Sequence, residues 1–115
     1  MPAANYPITI EQGSTFEKTL IYKDSQGAVI NLSDVAEVRG QVRPTASSST
    51  FKDFTLTIDA NPALGKIYWS MSATDTATLT APSTQYYDIE LEYDDGSVKR
   101  LIQGTVTVSP EVTRS

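Results

Sequence analysis

The sequence YYDIELEYDDGSVKRLIQGTVTV, residues 86–108, describes two strands joined by a tight turn. Apolar and polar residues alternate along both arms, as expected of strands with one face in the core and one face in water. The positions predicted to face inward are Tyr87, Ile89, Leu91 and Tyr93 on the first arm and Ile102, Gly104, Val106 and Val108 on the second. Between the arms, residues 94–97 contain an Asp-Gly pair, which supplies the positive φ of a hairpin turn. The segment therefore predicts a long antiparallel hairpin.

Further segments show the same two-residue period and are separated by Gly, Pro and Asx turns. The predicted strands cover residues 6–10, 15–23, 37–43, 54–58 and 66–71, with a short strand or extended crossing at 28–32. Pro7 confines the first strand to a sheet edge or to a strand start, and Pro44 ends the third. The residues predicted to face inward are Val38, Gly40, Val42, Ile67, Trp69 and Met71. Because no helical period persists, the pattern predicts an all-β fold, an immunoglobulin-like antiparallel β-sandwich of about seven strands.

Two serines are placed to cap single helical turns. Ser72, followed by Asp75, resembles a capping box and predicts one short helical turn that ends before Pro82. Ser33 with Asp34 predicts another turn at residues 35–37. The polar segment TASSST, residues 45–50, is expected to form an exposed loop. The 115 residues are expected to form a single domain, with a loose leader at 1–5 and a tail at 110–115.

The composition limits the chemistry that the chain can perform. It contains no cysteine and no histidine, so disulfides and thiolate sites are excluded, and the commonest general base and metal ligand are missing. The net charge is −5 and the lysines are scattered along the sequence, which argues against nucleic acid or an anionic membrane as a partner. No apolar run reaches the ~18 residues of a membrane span, and the N-terminal residues lack the basic and apolar regions of a secretory signal.

The most acidic segment contains Asp88, Glu90 and Glu92, with Asp94 and Asp95 at the turn. Convergent turn carboxylates would suit calcium, but strand residues two apart spread along one face, and the spacing of a calcium loop is absent. A solvated strand face is therefore the favoured interpretation, and no metal or other cofactor is expected. No spacing singles out a catalytic pair among the acids, and there is no nucleophile elbow, so the chain is predicted not to be an enzyme.

The aromatic residues supply the candidate interface positions. Trp69 alternates with inward-facing residues and is expected in the core, whereas Tyr68 falls on the opposite face. An exposed tyrosine is well suited to anchor an interface. The candidate interface residues are Tyr68, Tyr86 and Tyr93, for a protein partner or for a glycan. Tyr86 has an alternative role, in which its hydroxyl bonds to nearby backbone as in the tyrosine corner of sandwich domains.

The segment YYDIELEYDDGSVKRLIQGTVTVSPEVTR, residues 86–114, strongly resembles the C-terminal end of small phage virion proteins. In that family a Y-D-I-E-L arm, an Asp/Gly turn and a G-x-V-x-V-x-P-E-V-T-R tail recur. The opening YPITIEQGSTFEKTLIYKDSQGAVINLSDV, residues 6–35, looks like the opening of the same proteins, and the match is looser at residues 45–50. The chain is also similar to the N-terminal immunoglobulin-like domain of phage baseplate upper proteins, although APSTQY at 81–86 lacks the glycine of their L-x-G-x-Y lead.

The resemblance implies a non-enzymatic structural component of a tailed-phage virion. The leading expectation is a tail or baseplate building block that docks through strand edges, loops and termini, and the alternative is a capsid decoration or cement protein. Its partners would be other virion proteins and further copies of itself, and its location would be the virion, assembled in the host cytoplasm. No functional residue is carried over, because the shared motif describes scaffolding. A carbohydrate-binding adhesion module is a hypothesis of a different class.

Overall fold

Two β-sheets pack face to face in the computed structural model, which describes residues 4–112. The strands are β1 (Ala4–Asn5), β2 (Ile8–Glu11), β3 (Phe16–Ile21), β4 (Val35–Arg43), β5 (Lys52–Asp53), β6 (Thr55–Ile58), β7 (Lys66–Met71), β8 (Ser83–Tyr93) and β9 (Val98–Ser109). The described helical elements are a 3₁₀ turn at Pro62–Leu64 and the one-turn helix α1 at Ala73–Thr76. Only β1 and β5 are as short as two residues. The predicted all-β, immunoglobulin-like sandwich of about seven strands is therefore confirmed.

The predicted hairpin forms the centre of the larger sheet. β8 pairs antiparallel with β9 on one side and with β4 on the other, and β5 extends the sheet beyond β4. β1 and β2 lie along the far edge of β9 and pair with it in parallel. This departs from the predicted antiparallel arrangement, because the chain runs alongside β9 before it crosses to the other sheet at Phe16. The prediction from Pro7, a sheet edge or a strand start, is confirmed: β2 begins directly after Pro7 and pairs with β9 alone among the described strands.

The smaller sheet consists of β3, β7 and β6 in that order, all antiparallel. The core lies between the two sheets, and the inward-facing residues predicted on β7 fill its centre, since Ile67, Trp69 and Met71 are at most 1% exposed. The ring of Trp69 lies 5.3 Å from that of Phe16 and 5.3 Å from that of Tyr87, measured between centroids. Phe54 closes the cluster at 5.2 Å from Trp69. The alternation along the strands therefore predicts the core correctly.

A β-bulge in the hairpin was not predicted by the alternation. The β8–β9 register shifts by one residue next to Ile89, which leaves Leu101 as the extra residue. Leu101 and Ile102 are both buried. Beyond the bulge, Lys99 lies opposite the inward-facing Leu91. The bulge therefore brings a lysine to the core side of the sheet, at the mouth of the sandwich.

Three local predictions are confirmed: the hairpin turn, the helical turn after Ser72 and the exposed loop at residues 45–50. The hairpin turn has Gly96 at a φ of 88°. The helical turn after Ser72 forms as α1, with Ser72 Oγ accepting a hydrogen bond from the Asp75 N–H at 3.2 Å. Residues 45–50 form a largely exposed loop without helix or strand. Within residues 4–112, neither α1 nor the 3₁₀ turn has the length or apolar character needed to cross a membrane.

Other local predictions are wrong. The helical turn expected at 35–37 is absent, because Val35 already pairs with Tyr93 and begins β4. Of the two alternatives given for segment 28–32, a short strand or an extended crossing, the strand is absent, and the segment contributes one isolated bridge, at Val29. The leader predicted at 1–5 is wrong at Ala4 and Asn5, which pair with β9 as β1, and its first three residues lie outside the described part. Of the predicted tail, residues 110–112 have no regular structure, and the rest lies outside the described part.

Candidate functional site

The outward-facing acids of β8 are paired with arginines of the neighbouring strands. Arg39 of β4 donates from Nε to Glu90 Oε1 (3.2 Å) and from Nη1 to Glu92 Oε1 (2.9 Å). The Nε of Arg100, on β9, lies 3.3 Å from Asp88 Oδ2. The hydrogen bonds to Glu92 and Glu90 raise the pKa of Arg39. Partial burial, aided by the charge of Glu90, raises the pKa of Asp88.

The acidic run is thus a strand face whose charges are only partly compensated, because Arg39 is shared by Glu37, Glu90 and Glu92. Asp88, Glu90 and Glu92 alternate with the buried residues of β8, as the solvated-face interpretation predicts. Between residues 4 and 112, no group of three or more acidic side chains is arranged to hold a metal ion. Exposed ion pairs contribute little to stability.

A polar pocket of about 420 Å³ opens on the outer face of the larger sheet, beside the start of β8. Four strands contribute to its lining, whose polar members are Asn5, Gln41, Arg43, Asp88, Arg100, Gln103 and Thr105, with Tyr86 beside them. Amide, guanidinium and carboxylate groups offer hydrogen-bond donors and acceptors around one aromatic ring. A lining of this kind suits the recognition of a polar ligand or of a protein surface.

An exposed cluster of Tyr86, Arg43 and Phe51, here called the Tyr86 patch, lies beside the polar pocket. Tyr86 is 46% exposed and Phe51 is 48% exposed. Arg43 lies directly across from Tyr86 in the β4–β8 register, and its guanidinium carbon is 4.6 Å from the centre of the Phe51 ring. Arg43 also donates to Gln41 Oε1 (2.6 Å) and to the Ser48 carbonyl. Arg43 therefore ties the adjoining loop to the patch.

The sequence predicts one member of the Tyr86 patch and misses the other two. The outward parity of Arg43 on its strand was the available signal, but parity alone does not distinguish an interface residue from an ordinary surface residue. Phe51 follows the loop at 45–50, and its position depends on the path of that loop rather than on a local pattern. The stacking of a guanidinium on an aromatic ring is visible only in three dimensions.

The three candidate tyrosines do not share one surface. Tyr86 lies on the outer face of the larger sheet, and Tyr68 lies on the outer face of the smaller sheet, where it is 43% exposed. Tyr93 is partly buried and packs against the core. The tyrosine-corner role given to Tyr86 is wrong, because the side chain of Tyr86 faces water. The neighbouring Tyr87 faces inward and donates its hydroxyl hydrogen to the Tyr6 carbonyl, and burial raises the pKa of Tyr87.

Tyr68 controls a carboxyl group whose protonation can be measured. Its hydroxyl donates to Asp59 Oδ2, and this bond, with a second from the Asn61 N–H, lowers the pKa of Asp59 below its ordinary 3.8. A carboxyl with a lower pKa in the folded state stabilises the fold above its unfolded pKa, and the contribution is lost as the pH falls through the folded pKa. We expect Tyr68→Phe to raise the pKa of Asp59. The variant should then lose less free energy of unfolding than the native chain when the pH falls below about 3.8.

An NMR titration of the side-chain carboxyl carbons measures this shift directly. Asp95 serves as an internal control, since its pKa is lowered by hydrogen bonds from Ser97, which Tyr68→Phe leaves intact. If Asp59 has the same pKa in Tyr68→Phe as in the native chain, and the pKa of Asp95 is also unchanged, the Tyr68 hydroxyl is not what lowers the pKa of Asp59.

No protein-family model matches this sequence, and no curated protein matches it. Among solved structures, the fold is similar to that of a mutant of the SrpA adhesin from Streptococcus sanguinis, with a TM-score of 0.55 and 12% sequence identity. The alignment covers 91% of this chain and 55% of the adhesin chain, so the chain spans about half the length of that structure. At this identity the likeness supports the sandwich fold and says nothing about shared function.

Proposed function

We propose that this chain is a non-enzymatic structural component of a tailed-phage virion, a tail or baseplate building block that docks to other virion proteins and to further copies of itself. The observation that carries the proposal is the Tyr86 patch. Tyrosine and arginine are enriched among the residues that dominate the binding energy of protein interfaces. Tyr86 also lies on the strand that carries the strongest resemblance to phage virion proteins, so the two arguments concern the same part of the molecule.

The geometry of the Tyr86 patch suits an anchor for docking. Tyr86 and Arg43 project from adjacent, fully paired strands, so little backbone order has to be gained on binding. Phe51 holds the guanidinium of Arg43 by stacking, which reduces the side-chain freedom lost when a partner binds. The polar pocket beside the patch offers hydrogen-bonding groups for a side chain of the partner. A stable interface buries about 800 Å² on each partner, so the patch would be its centre rather than its whole extent.

The proposal is tested on purified particles from cells that encode this chain. Mass spectrometry establishes whether the chain is part of the particle, and a cryo-electron-microscopy map then locates the sandwich. Density arranged in three- or sixfold rings of the tail or baseplate is the expected result. Copies that follow the capsid axes would favour the decoration or cement alternative. Absence of the chain from the particle would overturn both.

Removal of the Tyr86 side chain should weaken docking. We expect Tyr86→Ala to reduce incorporation into particles by at least about tenfold, since loss of a central aromatic anchor costs 2 kcal/mol or more. Tyr68→Ala is a matched control, because Tyr68 is equally exposed but lies on the opposite face of the sandwich. Cells that co-express tagged wild-type and variant chains allow the ratio in particles to be measured by quantitative mass spectrometry. Equal incorporation of the two variants would contradict the assignment of the patch.

A second candidate function, carbohydrate binding in host adhesion, is favoured by the polar pocket beside Tyr86. An aromatic ring surrounded by amide, guanidinium and carboxylate groups has the chemistry that recognises a sugar ring and its hydroxyls. A glycan array probed with the wild-type chain, Tyr86→Ala and Tyr68→Ala tests it. Binding that is lost in Tyr86→Ala and kept in Tyr68→Ala would support this function, and a flat array would exclude it for the glycans displayed.

A further inference from the structure

A groove of about 430 Å³ separates the edge of the smaller sheet from the edge of the larger one. β3 forms one wall, and β1 with the following Tyr6 forms the other, so we call it the β1–β3 groove. Its apolar surface is contributed by Tyr6, Leu20, Ile21, Tyr22, Trp69, Leu101 and Ile102. The β-bulge at Leu101 helps to form the floor, because it buries two consecutive apolar residues of β9 at this point.

The wall formed by β3 is an unpaired strand edge. Among the described strands, β3 pairs with β7 alone. The N–H of Tyr22, just past the end of β3, donates to the Gly65 carbonyl at 2.8 Å. Because antiparallel strands alternate the direction of their backbone groups, this bond places the N–H and C=O groups of Thr19 and Ile21 on the free side. A free edge with outward-pointing N–H and C=O groups is a template for an additional strand.

The charge around the β1–β3 groove is opposite to that of the whole chain. Four of the nine lysines and arginines line it, namely Lys18, Lys23, Lys99 and Arg100, and no acidic residue does. The chain carries a net charge of −5, so this concentration is not a general feature of its surface. The sequence shows these cations as scattered; the fold brings them together.

Three of the four cations have no carboxylate partner among residues 4–112. Arg100 is paired with Asp88, but Lys18, Lys23 and Lys99 form no salt bridge with any residue between 4 and 112. Two of them are positioned by aromatic rings instead, with Lys18 Nζ 5.8 Å from the centre of the Tyr6 ring and Lys99 Nζ 5.4 Å from that of Tyr22. Their ammonium groups are therefore held at the groove and are available to an anionic partner.

We propose that the β1–β3 groove binds an extended acidic segment of a partner protein, which adds to the edge of β3 as a further strand. Its backbone pairs with the free groups of Thr19 and Ile21. Side chains on one face of the added strand point into the groove: apolar ones at its centre pack on the floor, and carboxylates at its two ends reach Lys18 and Lys99, which also lie on the inner side of their strands. The inference rests on the groove alone and does not depend on the assignment to a virion.

The probe is a fluorescein-labelled nine-residue peptide with threonine at its even positions, valine at its three central odd positions and glutamate at its two ends, so that valine and glutamate share one strand face. Its binding is followed by fluorescence anisotropy. We expect saturable binding that weakens as salt is raised, because the attraction is partly between charges. The variant Lys18→Gln/Lys99→Gln should weaken binding by about tenfold or more. Lys52→Gln/Lys66→Gln is the matched control, since it changes the net charge equally at positions outside the groove and should leave binding unchanged.

Amide hydrogen exchange supplies a readout that charge attraction alone would not produce. Addition of the peptide should slow exchange at Thr19 and Ile21, whose N–H groups it covers, and leave Thr57, whose N–H faces β7, unchanged. The proposal is overturned by no binding at millimolar peptide, by equal binding of a peptide with lysine in place of both glutamates, by tighter binding of a thymidine oligonucleotide, or by self-association of the chain that protects Thr19 and Ile21 without peptide.

Discussion

Trp69→Ala should lower the free energy of unfolding by about 3–5 kcal/mol, a large part of the 5–15 kcal/mol that stabilises a typical domain. Trp69 is 1% exposed and lies at the centre of the only ring cluster that joins the two sheets within the described residues. Its neighbour Phe16 belongs to the smaller sheet and Tyr87 to the larger one, and Phe54 lies between β5 and β6, where the chain passes from the larger sheet to the smaller. Substitution by alanine would therefore leave a cavity and remove contacts with both sheets at once. Urea unfolding followed by circular dichroism measures the change.

Trp69→Phe separates the loss of packing from the loss of the indole group. Trp69 Nε1 is buried without a hydrogen-bond partner among residues 4–112. Because a buried unpaired donor is itself unfavourable, its removal offsets part of the packing lost in Trp69→Phe. We expect this variant to lose less than half as much stability as Trp69→Ala. Equal losses would show that a phenyl ring restores none of the packing lost with the indole and that removal of the unpaired N–H gives no measurable gain.

The buried faces of the strands could be predicted from the sequence because burial imposes a local pattern. A strand with one face in the core repeats every two residues, and β7 follows this rule over Ile67, Trp69 and Met71. The same rule fails at Leu101 and Ile102, where two consecutive apolar residues are both buried. This pair was the one local sign of the β-bulge, because strict alternation would expose one of them.

Strand partners and surface clusters could not be predicted, because they depend on residues that are distant in sequence. The alternation of β2 is the same whether it pairs in parallel or antiparallel, so its pairing with β9 leaves no local signature. The Tyr86 patch depends on the path of the loop at 45–50, which sets the position of Phe51 against Arg43. The cations of the β1–β3 groove come from β3, from the segment after it and from β9. Each of these features is a product of topology.

Gly104→Ala should lower the free energy of unfolding by about 1–3 kcal/mol, through overpacking rather than through a change in backbone conformation. A Cβ at this position would lie 2.5 Å from the Tyr6 carbonyl oxygen and 2.8 Å from its carbon. These are backbone atoms, which cannot turn aside as a flexible side chain can. The substitution should therefore push β1 and the start of β2 away from β9. Faster amide exchange at Tyr6, whose N–H donates to the Gln103 carbonyl at 2.8 Å, would report this displacement.

The clash at Gly104 should also be coupled to Tyr87. Tyr87 lies across from Gly104 in the β8–β9 register, and its hydroxyl donates to the same Tyr6 carbonyl that the new Cβ would displace. In the native chain, Tyr87→Phe should cost about 1 kcal/mol for the lost hydrogen bond. In the Gly104→Ala background it should cost much less, since the carbonyl has already moved away from the hydroxyl. Strict additivity in this double-mutant cycle would show that the carbonyl stays in place and that the strain of Gly104→Ala is relieved elsewhere. A clear coupling would instead establish that Gly104 is required so that the first strands can lie against β9 within reach of Tyr87.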